Sequence, residues 1–409
     1  MRLLLTICAF LAACMGSAAL AGTLVINANT SDPAPRAAWQ SVVAEFQRSH
    51  PGIEVKFNLY DHESYKKAIR NWLTSAPPDV VFWNVGYRMR QFVTPGLLED
   101  VSDLFTAELR SDLGEAAVEL VSVDGAQFGV PFSQYQIGLY YRKDLLEKAG
   151  LDGPPQRWAD LLDACARLKQ AGIVPIVIGS RDLWPTAGWF DYIDLRTNGY
   201  EFHRRLMDGK VPFTDPRVRA VFARWRELLD NGCFVDKHAS LSWQESQALL
   251  YRGTGAMMLI GNFIVANFPP EMRDKMDFAP FPLIDDSIGR YEEAPMNSLH
   301  IPARARNKED ARKFLAYVSR PEVQEKINAA MLTIPVNRKA SVADDPFLRK
   351  GRDLLSRADG LMQYFDRETS EDLATVAMKG FQEFMVDPDR LDQVIESIER
   401  ARKRIYEPS

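Results

Sequence analysis

The sequence predicts an α/β protein built of two lobes. Strand-like and helix-like segments alternate along most of the chain, which predicts parallel sheets joined by right-handed crossovers. A chain of 409 residues is long for a single hydrophobic core. It also contains no charged or Gly/Ser-rich linker. Two lobes without a linker indicate that the chain crosses between them more than once.

Residues 1–21 are predicted to be a secretory signal peptide. Arg2 gives a positive start, an uncharged apolar stretch follows, and Ala19-Leu20-Ala21 is a small-x-small cleavage pattern. A second interpretation stays open, because Leu11-Ala12-Ala13-Cys14 resembles a lipobox and would make Cys14 the site of a lipid anchor. Cleavage after Ala21 is favoured, because strand-like residues begin at Leu24.

The elements after the signal peptide follow in regular order. They are a strand at 24–27, a helix carrying Trp39, Val42, Val43 and Phe46, a strand at 53–57, a helix capped by Ser64, and a buried strand in "PPDVVFW". Farther along come a helical stripe from Trp158 to Leu168, a strand at 174–178, and a helix that begins at Asp215-Pro216. "FLAYVSRPEVQEKI" resembles one helix broken at Pro321, and the chain is mostly helical from Leu348 onward.

Charge and motifs exclude several classes of function. The formal net charge is −5 and no basic run occurs, so a nucleic-acid partner is not expected. The sequence lacks a nucleophile elbow, a zinc-binding histidine pair, a phosphate loop and a dinucleotide fingerprint. We therefore expect no catalytic residue, no metal and no cofactor.

Cys165 and Cys233 are the cysteines that remain after the signal peptide. An exported pair of this kind can form a disulfide. Each cysteine also fits the apolar face of a predicted helix or its end, and buried thiols are the favoured interpretation because the sequence gives no distance between them.

Aromatic rings beside polar side chains recur where strands or loops are predicted to end. They occur in Phe82-Trp83-Asn84, in "PFSQYQ", in "LIGNF" and in the 180–192 stretch "SRDLWPTAGWFDY", whose proline and glycine predict a loop. A sugar ring offers apolar C–H faces to aromatic rings and hydroxyls to amides and charged groups. The pattern therefore predicts a carbohydrate site, with Trp184 and Trp189 as stacking rings and Phe190 and Tyr192 packed beneath them.

Two other functions remain open at the level of sequence. Carboxylates are abundant enough for a glycoside hydrolase pair, and a non-sugar solute such as a polyamine or an oligopeptide is the third alternative. Asp191 and Asp194 either bind a hydroxyl or cap a helix, whereas Asp285-Asp286 is predicted to be a solvated turn. Cleavage of oligosaccharides would separate an enzyme from a binding protein.

Several segments together resemble one family, the family-1 extracellular solute-binding proteins of bacterial ABC importers, which include maltose-binding protein. The similar stretches are "PPDVVFW" with "GLLEDVSDL", "GVPFSQYQIGLYYRKDLLEKAGL", "RGTGAMMLIGNF", "NSLHIPARARNKEDARKFLAYVSRPEVQEKI" and "TIPVNRKA". They occur in the family's order over nearly the whole chain after the signal peptide. Two departures stand out, because Phe263 replaces the usual Trp and Pro295-Met296 replaces glycines before Asn297.

The resemblance implies a two-lobed periplasmic binding protein fold, each lobe a sheet flanked by helices, with a hinge and crossings near 132–137, 290–297 and 333–338. The N-terminal lobe would comprise 22–132 and 295–333, and the C-terminal lobe 133–294 and 334–409. The implied function is capture of a mono- or oligosaccharide in the periplasm, by a monomer, for the membrane permease subunits of an ABC importer. The implied or suspected sugar contacts are Thr30, Ser31, Asp32, Trp83, Asn84, Gln134, Tyr135, Trp184, Trp189, Gly261, Asn262, Phe263, Asn297, Tyr364 and Asp366.

Overall fold

A computed structural model of the chain describes residues 22–30 and 32–407. The predicted signal peptide, Cys14 and Ser31 lie outside the described residues. The strands are β1 (Leu24–Ala28), β2 (Val55–Leu59), β3 (Val80–Asn84), β4 (Ser122–Val123), β5 (Ala126–Gln127), β6 (Val130–Gln134), β7 (Ile137–Arg142), β8 (Val174–Ile176), β9 (Gly255–Gly261), β10 (Met276–Ala279), β11 (Tyr291–Glu293), β12 (Met296–His300) and β13 (Gly360–Met362).

The helices surround these strands and make up more of the chain than the strands do. They are α1 (Pro33–Ser49), α2 (His62–Ser75), α3 (Tyr87–Val93), α4 (Ala107–Leu113), α5 (Glu115–Leu120), α6 (Lys143–Lys148), α7 (Trp158–Gln170), α8 (Trp184–Thr197), α9 (Tyr200–Met207), α10 (Pro216–Asp230), α11 (Trp243–Tyr251), α12 (Lys308–Val318), α13 (Pro321–Met331), α14 (Pro346–Ser356), α15 (Phe365–Glu368), α16 (Glu371–Val386) and α17 (Leu391–Tyr406). Within the described part of the chain, none of these helices is long and apolar enough to cross a membrane.

The first lobe is organised around a five-stranded sheet in the order β2-β1-β3-β12-β6. β1 pairs in parallel with β2 and β3, as the alternation of strands and helices predicts. β12 is antiparallel to both of its neighbours, because the chain re-enters this sheet from the other lobe. Trp39 and Phe46 of α1 are buried against the sheet, and the helical spacing of their neighbours anticipated that packing.

The second lobe is organised around a four-stranded sheet in the order β10-β7-β9-β8. The prediction of parallel sheets is wrong for this sheet: among its described strands, β8 and β9 pair in parallel, while β7 is antiparallel to both β9 and β10. Its core is aromatic: Trp225 of α10 is fully buried and packs on Phe384 of α16, with ring centroids 5.7 Å apart. The two-lobed α/β fold class is therefore confirmed.

The passages between the two sheets lie side by side. β6 leads directly into β7 through Tyr135 and Gln136, and β12 is reached from the second sheet through β11. Gln134 exchanges both backbone hydrogen bonds with Ile334 at 2.8 Å, and the Tyr135 N–H donates to the Pro295 carbonyl at 3.2 Å. Three separate parts of the chain thus meet in one narrow band, which is the arrangement a hinge needs. The lobe boundaries given above stay a prediction.

Several local expectations change in the structure. α2 is capped by Asp61, whose carboxylate accepts from the Ser64 N–H, so Ser64 lies within the first turn. Asp215 caps α10 as predicted, and α12 and α13 are separated at Pro321 as predicted.

Cys165 and Cys233 form a disulfide, with Cα atoms 5.3 Å apart. The favoured interpretation of two buried thiols is therefore wrong. The bond joins α7 to the turn after α10, so it lies within the second lobe. Both cysteines are fully buried, as free thiols on the apolar face of a helix would also be, so burial does not distinguish a disulfide from two thiols.

Candidate functional site

One cavity of about 180 Å³ is lined by residues from both lobes and from the passages between them. Its walls come from the carboxyl ends of β1 and β3, the amino ends of α1, α2, α8 and α11, the residues around the passages, and the segment before α16. In open α/β sheets, ligands bind outside the carboxyl ends of the strands. We refer to this cavity as the cleft, and its position relative to the strand ends makes it the candidate binding site.

The cleft brings together most of the residues that the sequence singled out. Those in its lining are Thr30, Asp32, Trp83, Asn84, Tyr135, Trp184, Phe263, Asn297, Tyr364 and Asp366. They come from positions as far apart in the chain as Thr30 and Asp366, so the fold alone makes them neighbours. Their roles as contacts to a sugar stay predictions.

Trp189 does not line the cleft, and its prediction as a stacking ring is wrong. The 180–192 stretch is a loop only as far as Leu183, and α8 begins at Trp184. Trp189 is fully buried in the second lobe, with its ring centroid 5.0 Å from that of Phe234 and 5.6 Å from that of Phe281. Phe190 and Tyr192 are likewise buried in this core, as expected for the underside of the aromatic wall.

Three further predicted contacts are structural. Asn262 is fully buried, and its Nδ2 donates to the Leu332 carbonyl at 2.8 Å. Gly261 ends β9 beneath the Phe263 ring, where an added Cβ would lie 2.3 Å from that ring. The side chain of Gln134 connects two passages, since its Nε2 donates to the Ala294 carbonyl at 3.5 Å. None of the three lines the cleft, because each side chain or backbone position is already occupied by packing or hydrogen bonding.

A continuous aromatic wall covers one side of the cleft. Trp184 at the start of α8 lies with its ring centroid 5.9 Å from that of Trp243 and 6.4 Å from that of Phe263. Tyr364 lies 5.9 Å from Trp184, and Tyr135 lies 5.3 Å from Phe263, again between ring centroids. The wall therefore joins residues of the second lobe to the first passage through edge-to-face contacts.

The indole nitrogens of Trp184 and Trp243 are buried and have no acceptor among the described residues. On the opposite side, the Thr30 hydroxyl is also buried and unpartnered within that part of the chain. Such groups cost about 1–3 kcal/mol each when they stay unsatisfied. A ligand with several hydroxyl groups would pair with them only after neighbouring side chains move, because these atoms are closed to solvent in this arrangement.

Trp83 lies in the wall contributed by the first lobe. It is 3% exposed, and its indole nitrogen donates to the Arg88 carbonyl at 3.0 Å. The Arg88 guanidinium lies 5.3 Å from the centre of the Trp83 ring. Because both its nitrogen and one ring face are occupied, Trp83 offers the cleft a fixed apolar surface rather than a free hydrogen-bond donor.

Charges in the cleft wall are matched. Lys66 lies 3.7 Å from Asp366 and 3.8 Å from Glu63. Burial acts to raise the pKa of Asp366, but the charges of Lys66, Arg88 and Arg367 lower it overall, so this carboxylate is ionised. Burial lowers the pKa of His62 to about 3, with Lys66 and Arg367 acting in the same direction, so the imidazole is neutral.

Arg367 is an important residue of the cleft that the sequence did not indicate. It is 8% exposed, and its guanidinium donates to the Tyr135 hydroxyl at 2.7 Å. It also donates to the Met296 carbonyl and to Asn297 Oδ1, both at 3.3 Å. This side chain ties the first passage to the second, and no motif around residue 367 marks it in the sequence.

Trp243, Gln244, His62 and Lys66 also line the cleft without having been predicted. A usable signal existed for Trp243: Ser242 and Glu245 form a capping box, which places Trp243 at the first residue of α11. The other three offer no comparable pattern, because they lie on ordinary polar helix surfaces that only the fold turns toward the cleft.

The arrangement of two sheets, adjacent passages and a ligand-sized cleft between lobes defines the class of two-lobed solute-binding proteins. The model of the family described as bacterial extracellular solute-binding protein matches residues 30–325. The chain belongs to this family.

Several known proteins are similar to this chain in sequence or in fold. An ABC transporter extracellular-binding protein of Pyrococcus horikoshii is 23% identical over 317 residues, covering 76% of this chain and 70% of that protein. The mannitol-binding protein of Pseudomonas aeruginosa is 25% identical over 340 residues, covering 77% and 75%. The solved bacterial solute receptor AcbH, described as preferring β-D-galactopyranose, is 28% identical, with a TM-score of 0.88 and coverage of 94% and 99%. A chitin oligosaccharide binding protein shares the fold, with 20% identity, a TM-score of 0.85 and coverage of 94% and 98%.

Proposed function

We propose that this chain is the periplasmic substrate-binding protein of a carbohydrate ABC importer. It captures a sugar or an oligosaccharide in the cleft and delivers it to the membrane permease subunits. It acts as a monomer that performs no chemistry, and it is exported by a signal peptide cleaved after Ala21. The single observation that carries the proposal is the aromatic wall of Trp184, Trp243 and Phe263 in one cleft with Trp83 and with the paired charges of Lys66 and Asp366.

Binding in this proposal works by shifting the population of lobe arrangements. Contacts in the open form come from one lobe at a time, whereas a sugar held between Trp83 and the aromatic wall touches both lobes. The ligand then favours closure by its greater affinity for the closed form. Micromolar affinity corresponds to about −8 kcal/mol.

The similar proteins support a carbohydrate as the ligand. The receptor AcbH prefers a monosaccharide, and the Pseudomonas aeruginosa relative binds a sugar alcohol. The proposed lobes are 22–132 with 295–333 and 133–294 with 334–409, which place the passages at the back of the cleft. The proposed sugar contacts are Thr30, Asp32, Trp83, Asn84, Tyr135, Trp184, Trp243, Phe263, Asn297, Tyr364 and Asp366.

The test is calorimetry on the purified mature protein against D-galactose, D-glucose, D-xylose, mannitol, xylotriose and chitotriose. Binding of at least one of these at micromolar Kd is expected. Absence of heat with every member of the panel would contradict the proposal. The same oligosaccharides, incubated with the protein and analysed for chain length, should come back intact, and shortened products would indicate a hydrolase instead.

A further inference from the structure

A group of ionisable side chains is buried directly behind the aromatic wall. Asp191 and Asp194 lie on α8, and Glu292 and Glu293 lie on β11, in the second passage between the sheets. All four are fully buried. They do not line the cleft, and the proposed capture of a sugar does not use them. Neither aspartate is open to a hydroxyl of a ligand, so that alternative from the sequence is wrong. The capping alternative holds in part, because Asp191 accepts from the N–H of Phe365, the first residue of α15.

Two of the four carboxyls have a clear cationic partner. Glu292 accepts from Arg196 at 2.6 Å, and that arginine is 1% exposed. Asp194 lies 2.8 Å from His203 Nδ1. Burial acts to lower the pKa of His203, but the hydrogen bond to Asp194 and the charges of Asp191 and Asp194 raise it overall. Both are buried ion pairs, and the second ring nitrogen of His203 lies 3.5 Å from Asp191 Oδ1.

The other two carboxyls, Asp191 and Glu293, are next to each other. Asp191 Oδ1 and both oxygens of Glu293 have no hydrogen-bond donor among the described residues. α8 and β11, which carry the two side chains, pack against each other. A side-chain hydrogen bond between Asp191 and Glu293 contributes to the pKa of both groups. His203 Nε2 approaches Asp191 at 3.5 Å, while Arg367, the cation that faces Glu293, is already held by Tyr135.

Four carboxyls and three cations thus share one buried region. Two ionised carboxylates in contact repel each other strongly in such a site, whereas one proton between them gives a short O–H···O⁻ hydrogen bond. Burial, first of all, raises the pKa of Asp191 to about 6. Burial and the charge of Asp191 raise the pKa of Glu293 well above its usual value.

The pair also holds three parts of the chain together. Asp191 Oδ2 accepts from the Phe365 N–H at 2.8 Å. The Glu293 N–H donates to the Tyr192 hydroxyl at 3.3 Å. Next to Phe365, the Tyr364 hydroxyl donates to the Trp184 carbonyl and accepts from the Gly188 N–H, both at 2.9 Å. The segment 364–367, which carries three residues of the cleft wall, is therefore fixed to α8 and β11 at this point.

We propose that Asp191 and Glu293 share one proton and act together as positioning residues, holding the segment 364–367 in place for ligand binding. Loss of the proton puts two negative charges against each other behind the cleft. The segment then shifts, and both the stability of the protein and its affinity for sugar fall. The affinity part rests on the proposed function, whereas the proton and its effect on stability do not.

The sign of the pH dependence follows from the direction of the two pKa shifts. Both groups bind their proton more tightly in the folded protein than in the unfolded chain. Their contribution to stability is thus complete below about pH 4 and is lost as pH rises through the folded values. For Asp191 that value is about 6, and the pKa of Glu293 is likewise raised well above its usual value.

Other groups that face the pair act in the same pH range. His203 has a raised pKa, and burial raises the pKa of Glu368, which faces His203, to about 7. Tyr192 and Tyr364 stay neutral, because burial raises the pKa of each further. The wild-type profile alone therefore does not isolate the pair, and a variant must be compared with it.

The decisive variant is Glu293→Gln, in which a neutral amide donates to Asp191 without a shared proton. Urea unfolding of the mature protein is measured from pH 5 to pH 9, with the exposed Glu271→Gln as the control. The folding constant of the wild type relative to Glu293→Gln should fall at least tenfold across this range, while Glu271→Gln should follow the wild type. Parallel profiles for the wild type and Glu293→Gln would overturn the proposal.

Two further measurements apply if Glu293→Gln does not fold. Asp191→Asn is then measured in the same way. In addition, amide hydrogen exchange of wild-type peptides covering 360–370 should become faster with rising pH than the intrinsic exchange rate alone predicts. For affinity, D-galactose is the first probe: its Kd should weaken at least threefold from pH 6 to pH 8.5 in the wild type and not in Glu293→Gln. Diverging stability profiles without binding of any sugar would leave the shared proton standing and remove the proposed function.

Discussion

Arg367 donates a 2.7 Å hydrogen bond to the hydroxyl of Tyr135. This hydrogen bond connects the segment before α16 to the first passage between the lobes. The same guanidinium reaches Asn297 in the second passage. The Arg367 side chain therefore forms hydrogen bonds to both passages at the back of the cleft. A ligand that contacts Tyr135 or Asn297 acts directly on the band where the lobes join.

Tyr135→Phe should weaken sugar binding because it removes one acceptor from a buried guanidinium. A hydrogen bond to a charged group is worth about 1.5–3 kcal/mol to the folded protein, so the variant should be less stable by about this amount. Its affinity should also fall, because Arg367 is no longer held in place in the cleft wall. Calorimetry with a sugar that binds the wild type measures the change. Tyr141→Phe is the matched control, since its hydroxyl lies near Asp277 in the second lobe and does not line the cleft; equal losses in both variants would contradict the role of Arg367.

Trp184 and Trp189 should behave differently although both lie on α8. Trp184→Ala removes part of the aromatic wall and should weaken sugar binding at least tenfold, with a modest effect on stability. Trp189→Ala empties a buried site and should lower the free energy of unfolding by about 3–5 kcal/mol, while the folded fraction keeps its affinity. Thermal unfolding and calorimetry on both variants check this, and a Trp189 variant that is stable but does not bind would restore Trp189 to the site.

The cleft should select neutral sugars over acidic ones. Lys66 is paired with Asp366, and Arg367 is held by Tyr135 and Asn297, so neither cation is free to take a carboxylate. An acidic sugar would have to break one of these contacts, and breaking a buried charged pair is expensive. Competition between D-galactose and D-galacturonate should show at least tenfold weaker binding of the acid. Preference for the acid would mean that Lys66 or Arg367 changes partner when ligand enters.

The disulfide should stabilise the second lobe without restricting the lobes relative to each other. Cys165 and Cys233 are 68 residues apart in sequence, and closing a long loop removes entropy from the unfolded chain. Replacing both cysteines by alanine should cost about 2–4 kcal/mol in the free energy of unfolding. Sugar affinity at a temperature where the variant is folded should stay within twofold of the wild type. A large loss of affinity would show that the bond also shapes the cleft.

The parts of the fold that sequence predicted well are those with clear periodicity. α1 and α10 show apolar residues at helical spacing with polar residues between them, and both are helices with one buried face. α8 has no such pattern, because every residue from Pro185 to Arg196 is buried. A helix that is covered on all sides gives no alternation to detect, and its proline and glycine then suggested a loop. Trp189 was misplaced for this reason.

The candidate site was anticipated where a residue stands at the end of a strand or beside a passage. Trp83, Asn84 and Tyr135 follow that rule, and all three line the cleft. Arg367 and Lys66 do not, because their place in the wall depends on how distant helices pack. The disulfide was missed for a related reason, since Cα separation is a property of the fold and not of spacing along the chain.

Half of the tryptophans in the chain line the cleft: Trp39, Trp83, Trp184 and Trp243 out of eight. Indole emission responds to the polarity and hydrogen bonding of its surroundings, and the nitrogens of Trp184 and Trp243 have no acceptor within the part of the chain that the structure describes. Ligand binding should therefore change the intrinsic tryptophan fluorescence of the protein. Occupancy should be readable from intrinsic fluorescence without any dye or label, which makes the unmodified chain a starting point for a reagentless biosensor.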